Sequence, residues 1–143
     1  MKPTYIRQPY GSKLCGQTCV AMAAGVTLQK AVIAFGTRGS TTGKAVLIVL
    51  RRLGVNTGDR YVREHHSRTE VGLSPIVLGT GPKAKGPLPP RCIVKARNGT
   101  IKGLAPKWAR RSHWMLWWDG ELYDPDPPCS YGYISGYIEI KEA

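Results

Sequence analysis

Small and apolar residues fill positions 16–24, and Gly25 after them can adopt the left-handed conformation in which many helices end. This pattern predicts a helix that begins at or just before Cys15. Thr27 and Gly36 are a capping residue and a terminating glycine, and they predict a second, short helix between them. The N-terminal part of the chain is therefore expected to be helical.

A third helix is predicted where the hydrophobic positions repeat with helical spacing. Residues 40–42 are Ser-Thr-Thr, which can cap a helix start, and Gly54 can end the helix. Between them the apolar side chains fall at i, i+3, i+4 and i+7, and these are Val46, Val49, Leu50 and Leu53. We expect this stripe to be buried in the core.

After the third helix the pattern changes to short apolar runs that contain β-branched residues, at positions 74–78, 92–96 and 137–140. Such runs are typical of strands. Two dipeptides, Asn98-Gly99 and Asp119-Gly120, are favoured in two-residue hairpin turns. The second half of the chain is therefore predicted to form an antiparallel sheet.

This order of elements predicts an α+β protein in which N-terminal helices pack on a C-terminal antiparallel sheet. A chain of 143 residues has the length of one ordinary domain and can bury about two-thirds of its unfolded surface. We expect residues 1–143 to form a single domain.

Basic residues outnumber acidic ones, with 21 Lys and Arg against 9 Asp and Glu and a formal net charge of +12. No carboxylate occurs before Asp59 and none between Glu70 and Asp119, so one broad basic surface is expected. Such a surface attracts nucleic acid or an acidic protein partner, although it can also serve solvation alone. Aromatic residues are not interleaved with the basic run as in a base-stacking surface, so nothing specifically indicates nucleic acid.

The four cysteines show no paired two-residue spacing, and they are Cys15, Cys19, Cys92 and Cys129. This spacing does not support a zinc site, and the lack of a signal-peptide pattern favours reduced thiols in the cytoplasm. Cys19 lies one helical turn after Cys15 and is expected to be a small buried side chain. No apolar stretch approaches the roughly 20 residues that span a bilayer, so we expect a soluble protein without a membrane partner.

The turn at Asp119-Gly120 makes a geometric prediction for the residues on both sides of it. With residues equidistant from the turn facing each other, alternation puts His113, Asp124 and Asp126 on one face of the sheet. His113 and Asp124 are then diagonal neighbours within reach of a hydrogen bond, and Asp126 competes for the same role. The imidazole is thus expected to have a carboxylate that orients it.

The other histidines and the tryptophans are weaker candidates. His65 and His66 lie among charged residues, and we expect a solvated segment without a functional role. Trp117 shares the predicted face of His113, and either a core position or the wall of a substrate groove is consistent with it.

Cys15 is the best candidate nucleophile, because a helix N-terminus and a nearby imidazolium can lower a thiol pKa from about 8.5 to roughly 3.5–7.5. The residues around it form three motifs: Cys-Gly-Gln-Thr-Cys-Val-Ala-Met at 15–22 after Gln8, His-Trp-Met-Leu-Trp at 113–117, and Tyr-Asp-Pro at 123–125. Together they resemble the bacteriocin-processing (family 39) cysteine peptidases and their stand-alone relatives, within the papain-like superfamily. The resemblance runs from Gln8 to the final strand.

This resemblance implies a papain-like fold and a catalytic triad. Cys15 would be the nucleophile, His113 the general base and acid, and Asp124 the orienting carboxylate. Gln8 would donate a hydrogen bond to the oxyanion, together with the backbone N–H of Cys15.

The sequence therefore predicts a thiol hydrolase that cleaves a peptide or isopeptide bond in a protein substrate and needs no metal or organic cofactor. Glutamine deamidation and acyl transfer to an amine use the same machinery and stay open. The alternative from another class is a basic binding protein, for nucleic acid or an acidic protein, with a vestigial papain-like site. The oligomeric state is not indicated.

Overall fold

The computed structural model describes residues 2–67, 88–98, 111–126 and 132–142. Three helices come first, and they are α1 (Cys15–Ala24), α2 (Leu28–Phe35) and α3 (Gly43–Arg52). Five strands follow, and they are β1 (His66–Ser67), β2 (Arg91–Arg97), β3 (Ser112–Trp118), β4 (Glu121–Tyr123) and β5 (Tyr133–Glu139). The protein is an α+β protein, as the sequence predicts.

α2 and α3 begin at the predicted capping residues, and all three helices end at or just before the predicted terminal glycines. Thr27 Oγ1 accepts a hydrogen bond from the N–H of Lys30 at the start of α2, and Thr42 Oγ1 accepts one from Ala45 at the start of α3. Gly25 and Gly36 have φ angles of 67° and 74°, the left-handed conformation that ends α1 and α2. Local sequence therefore fixes the helix boundaries.

The strands form one antiparallel sheet in the order β1-β5-β2-β3-β4. The predicted strands at 92–96 and 137–140 are confirmed within the longer β2 and β5, whereas the one at 74–78 lies outside the described residues. The hairpin register is also confirmed, since Trp118 pairs with Glu121 on either side of the turn. Asp119 and Gly120 have φ angles of 48° and 85°, as a two-residue hairpin turn of this kind requires.

The predicted turn at Asn98-Gly99 includes Gly99, which lies outside the described residues. Before it, Arg97 pairs with Ser112 on one side and with Tyr133 on the other, so β2 has a neighbouring strand at both edges. Asn98 Oδ1 accepts a hydrogen bond from the N–H of Arg111, which continues the contact between β2 and β3.

The hydrophobic core lies between the helices and one face of the sheet. It includes the α3 stripe, of which Val46 and Leu50 are fully buried, and Trp114 and Leu116 of β3. α1 packs directly on β3 in this layer. A second apolar cluster on the other face contains Met115 and, at its edge, Trp117. The two-layer arrangement of helices on sheet is thus as predicted.

The expectation of a solvated segment at His65 and His66 is wrong for His66, whose side chain is fully buried. His66 pairs with Ile134 in the sheet, its Nε2 lies 3.4 Å from Glu64 Oε2, and its ring contacts Tyr137. The charged neighbours of His66 in the sequence did not indicate a strand, yet β1 forms one edge of the sheet.

Among the described residues no single helix has the length and apolar character to cross a bilayer, and α1 with α2 meets these criteria only as a pair bent by 117°.

Candidate active site

Cys15 is the first residue of α1, and its side chain is half-buried. Leu14 precedes it at the cap position without a side-chain cap, and α1 has no acidic residue in its first turn. The first N–H groups of a helix have no partner within the helix itself. The start of α1 can therefore offer backbone donors and a positive dipole end to a thiolate.

His113 is the second residue of β3 and is 6% exposed. Its Nε2 donates a hydrogen bond of 2.6 Å to Asp124 Oδ1, just beyond the end of β4. The side chain of His113 is also hydrogen-bonded to Cys15. Because Nε2 faces Asp124, Nδ1 is the ring nitrogen that remains for the thiol. The fold thus brings Cys15, His113 and Asp124 into one chain of hydrogen bonds.

Asp124 is held by the turn that follows it and by the N-terminal segment. Its Oδ1 also accepts the backbone N–H of Asp126 at 2.9 Å, and its carbonyl accepts a 2.6 Å hydrogen bond from the hydroxyl of Tyr5. The next carbonyl, of Pro125, accepts the backbone N–H of Gln8. Asp126 is exposed and contributes only this backbone group. Of the two candidate carboxylates, Asp124 is therefore the one that bonds to His113.

The pKa of Cys15 is lowered and the pKa of His113 is raised, so each residue favours the charged form of the other. Burial tends to raise the pKa of Cys15, but the hydrogen bond to His113, the backbone hydrogen bonds of Trp114 and Gly16 and the imidazolium charge together lower it. Burial tends to lower the pKa of His113, but its hydrogen bonds to Asp124 and Cys15 raise it to about 9. This arrangement favours a thiolate–imidazolium pair at neutral pH.

Gln8 is 6% exposed and is joined to the Asp124 segment through its backbone, while among the described residues its side chain makes no hydrogen bond to Cys15 or His113. Its Nε2 donates to the carbonyl of Ser12 at 2.9 Å and faces the hydroxyl of Ser12 at 3.3 Å. The Oε1 atom is buried without a hydrogen-bond partner among the described residues. The amide of Gln8 is thus directed to the segment that leads into α1, and its longer contact with Ser12 is the one that a new acceptor can replace.

Cys19, one turn after Cys15, is fully buried and is a free thiol. Burial raises its pKa well above the ordinary value, and the negative charges of Cys15 and Asp124 act in the same direction. Cys92 is free and fully buried as well, whereas Cys129 lies outside the described residues. The expectation that Cys19 is a small buried side chain is confirmed.

Sequence reasoning did not single out the loop between α2 and α3, which packs against the start of α1. Gln17 is fully buried, and its Nε2 donates to the carbonyls of Thr37 and Gly39 at 3.1 and 2.9 Å. This loop also carries Thr41, whose Oγ1 is buried without a hydrogen-bond partner among the described residues. The only signal in the sequence is a glutamine in an otherwise small and apolar helix.

Gly16 allows that loop to come close to the nucleophile. A Cβ atom at Gly16 would collide with Oγ1 of Thr41 and lie 3.2 Å from Cδ1 of Trp114. Trp114 therefore lines the site next to Cys15. Trp117 belongs instead to the apolar cluster on the opposite face of the sheet.

The described residues contain no group of three or more His, Cys, Asp or Glu side chains that could hold a metal ion. A scan against protein-family models found no match, and a search of curated proteins and a search of solved structures each found none either. Any functional conclusion therefore depends on the geometry of the site.

Proposed function

We propose that this protein is a thiol hydrolase with a papain-like fold, which cleaves a peptide or isopeptide bond in a protein substrate. The observation that carries the proposal is the hydrogen-bonded chain from Cys15 through His113 to Asp124. A nucleophile, a base in contact with it and a group that orients the base are the features common to such catalytic sites.

In the proposed reaction, the Cys15 thiolate attacks the carbonyl carbon of the substrate. The C–N bond then breaks as His113 gives its proton to the leaving amine, and a thioester remains on Cys15. Neutral His113 next takes a proton from water, and the resulting hydroxide attacks the thioester. The carboxylic acid product leaves, and the thiolate is restored.

Asp124 acts by fixing the ring of His113 and by stabilising its positive charge, because it accepts the Nε2 hydrogen at 2.6 Å. The backbone N–H of Cys15 and the amide of Gln8 are the proposed donors to the oxyanion. For this role, the N–H of Gln8 that faces the Ser12 hydroxyl at 3.3 Å turns to the substrate oxygen, while the shorter bond to the Ser12 carbonyl holds the side chain.

Acyl-enzyme trapping tests this proposal. The protein is mixed with a peptide library prepared from a proteolytic digest, quenched in acid, and analysed by intact-protein mass spectrometry. We expect peptide-sized thioester adducts on Cys15 and shortened library peptides, both of which disappear in Cys15→Ala. Cys19→Ala is the matched control and should keep both signals.

The masses of the products also distinguish the chemistries that share this machinery. Hydrolysis shortens peptides, deamidation leaves their length unchanged, and acyl transfer joins them to an added amine. A library left unaltered by the wild type, with no adduct on Cys15, would refute the proposal.

A further inference from the structure

Lys95 lies over the ring of Trp114, and the charges of Arg97 and Arg63 act on it; among the described residues none of these three cations has a carboxylate partner. Lys95 pairs directly with Trp114 across β2 and β3, and its Nζ lies 5.4 Å from the centre of the indole ring. Arg97 donates from Nε to the hydroxyl of Ser135 at 3.3 Å. Arg63 is exposed, and its charge acts on both Lys95 and Tyr61. No salt bridge of Lys95, Arg97 or Arg63 exists among the described residues.

Five of the acidic side chains in the described part of the chain have a partner other than Lys95, Arg97 or Arg63. Asp119 and Glu142 bond to Arg91, and Glu121 bonds to Lys2. Glu64 contacts His66, and Asp124 holds His113. Within the described residues the positive charges of Lys95, Arg97 and Arg63 are therefore not offset by an ion pair, and such a cluster of like charges costs free energy that an anionic ligand would offset.

The environment of Lys95 shows how closely these charges interact. Burial lowers the pKa of its ammonium group, and the positive charges of Arg97 and Arg63 lower it further, while the charge of Cys15 acts in the opposite direction. Lys95 and Arg97 are both half-buried on a central strand, where an unpaired lysine is uncommon. The cluster is thus near enough to sense the ionisation of Cys15.

The side chain of Trp114 lies next to both the start of α1 and Lys95. Trp114 lies beside Gly16 at its Cδ1 edge and beneath Lys95 at its ring face. Tyr61 meets Trp114 edge to face with ring centres 6.0 Å apart and extends toward Ser135. Because the contacts of Gly16 and Lys95 lie on the same indole ring, Lys95 Nζ is on the order of 10 Å from the position of Gly16, or about three residues of an extended peptide at about 3.3 Å each.

We propose that Lys95, Arg97 and Arg63 form an anion-binding subsite that receives an acidic side chain of the peptide substrate, within about three residues of the scissile bond. The proposal deepens the proposed hydrolase function and rests on it. A carboxylate suits the site because Arg97 has free N–H groups for a forked hydrogen bond and Lys95 supplies a point charge. A nucleic acid duplex suits it less, since two of the three cations are recessed rather than arranged along an exposed surface.

Cleavage-site profiling tests the subsite. The peptide library is cleaved by the wild type, by K95Q/R97Q and by a control of equal charge change, K30Q/R52Q, whose residues are exposed on α2 and α3. We expect Asp and Glu to be enriched within about three residues on one side of the cleaved bond for the wild type and the control. K95Q/R97Q should lose this enrichment.

A matched pair of peptides from that library, identical except for one Glu→Gln change, then separates binding from chemistry. For the Glu peptide, K95Q/R97Q should raise KM about tenfold or more and leave kcat within about twofold, whereas the Gln peptide should be affected little. Cleavage without acidic enrichment, or enrichment that persists in K95Q/R97Q, would overturn the subsite while leaving the hydrolase proposal intact.

A binding measurement decides the matter even if no cleavage is found. On a Cys15→Ala background, the fluorescence anisotropy of fluorescein-labelled hexaglutamate should report a Kd that K95Q/R97Q weakens at least fivefold more than K30Q/R52Q does. Equal weakening would show general attraction to a basic protein and overturn the proposal. The proposal would also be overturned if K95Q/R97Q weakened the binding of a labelled DNA duplex but not the binding of hexaglutamate.

Thermal unfolding tests whether a loss of binding or cleavage in the Lys95 variants comes from a loss of stability. Because Lys95 is half-buried among like charges, Lys95→Met should unfold at the same temperature as the wild type or higher. A variant that melts well below the wild type would mean that Lys95 has a structural role, which would contradict the proposed subsite.

Discussion

His113 and Asp124 are 11 residues apart in the chain, and a hydrogen bond of 2.6 Å joins Nε2 of one to Oδ1 of the other. The turn at Asp119-Gly120 folds β4 back on β3 and makes this contact. The carboxylate is fixed further by the N–H of Asp126. The orientation of the imidazole toward Cys15 is therefore built into a single hairpin.

The reactivity of Cys15 should depend on His113. Alkylation by iodoacetamide, followed over pH by mass spectrometry, should show Cys15 reacting with a midpoint below the ordinary thiol value of about 8.5. His113→Ala removes the hydrogen bond and the positive charge, so its midpoint should move upward. Equal profiles in the two proteins would mean that the imidazole does not activate the thiol.

Turnover should also decline at alkaline pH. The pKa of His113 is raised to about 9, so the imidazolium that protonates the leaving amine is present below that pH and is lost above it. We expect kcat/KM for a library-derived peptide to fall with a midpoint near 9. Alkylation by iodoacetamide needs no proton donor and should not fall there, which makes it an internal control.

Asp124→Asn should reduce kcat by at least tenfold, because the amide loses the charge that stabilises the imidazolium. Asp126→Asn is the matched control and should stay within about twofold of the wild type, since only the backbone N–H of Asp126 bonds to Asp124. Steady-state kinetics on one peptide compares the two. A larger loss of kcat for Asp126→Asn than for Asp124→Asn would mean that Asp126, and not Asp124, orients His113.

Gln8→Ala should lower kcat by about 10²–10³-fold with little change in KM, because an oxyanion donor acts mainly in the transition state. Ser12→Ala removes only the longer of the two contacts of Gln8, at 3.3 Å, and should have a small effect. If Gln8→Ala mainly raises KM, Gln8 contacts the substrate in its ground state instead.

Gly16→Ala should destabilise the protein by about 1–3 kcal/mol through overpacking against Thr41 and Trp114. The double variant G16A/T41A removes the colliding hydroxyl and should recover part of this loss. Gly39→Ala, where a Cβ meets only an ordinary contact at 3.5 Å, is the control. Urea unfolding measures all three, and an unaffected Gly16→Ala would show that the loop does not press on the start of α1.

The sequence by itself determined the helix boundaries and the hairpin beside the site. The features responsible are the caps at Thr27 and Thr42, the terminal glycines and the Asp119-Gly120 turn. Each acts on the backbone of a few neighbouring residues, so the local structure that it favours does not depend on distant parts of the chain. The register of that hairpin then put His113 and Asp124 on one face.

The tertiary structure alone decided which distant groups meet. It brought Cys15 to the ring of His113, chose Asp124 over Asp126, buried His66 and gave β2 a neighbouring strand at both edges. Among the described residues it also left Lys95 and Arg97 without a carboxylate partner. Contacts between segments far apart in the chain depend on how the helices pack on the sheet, and short sequence patterns do not encode that packing.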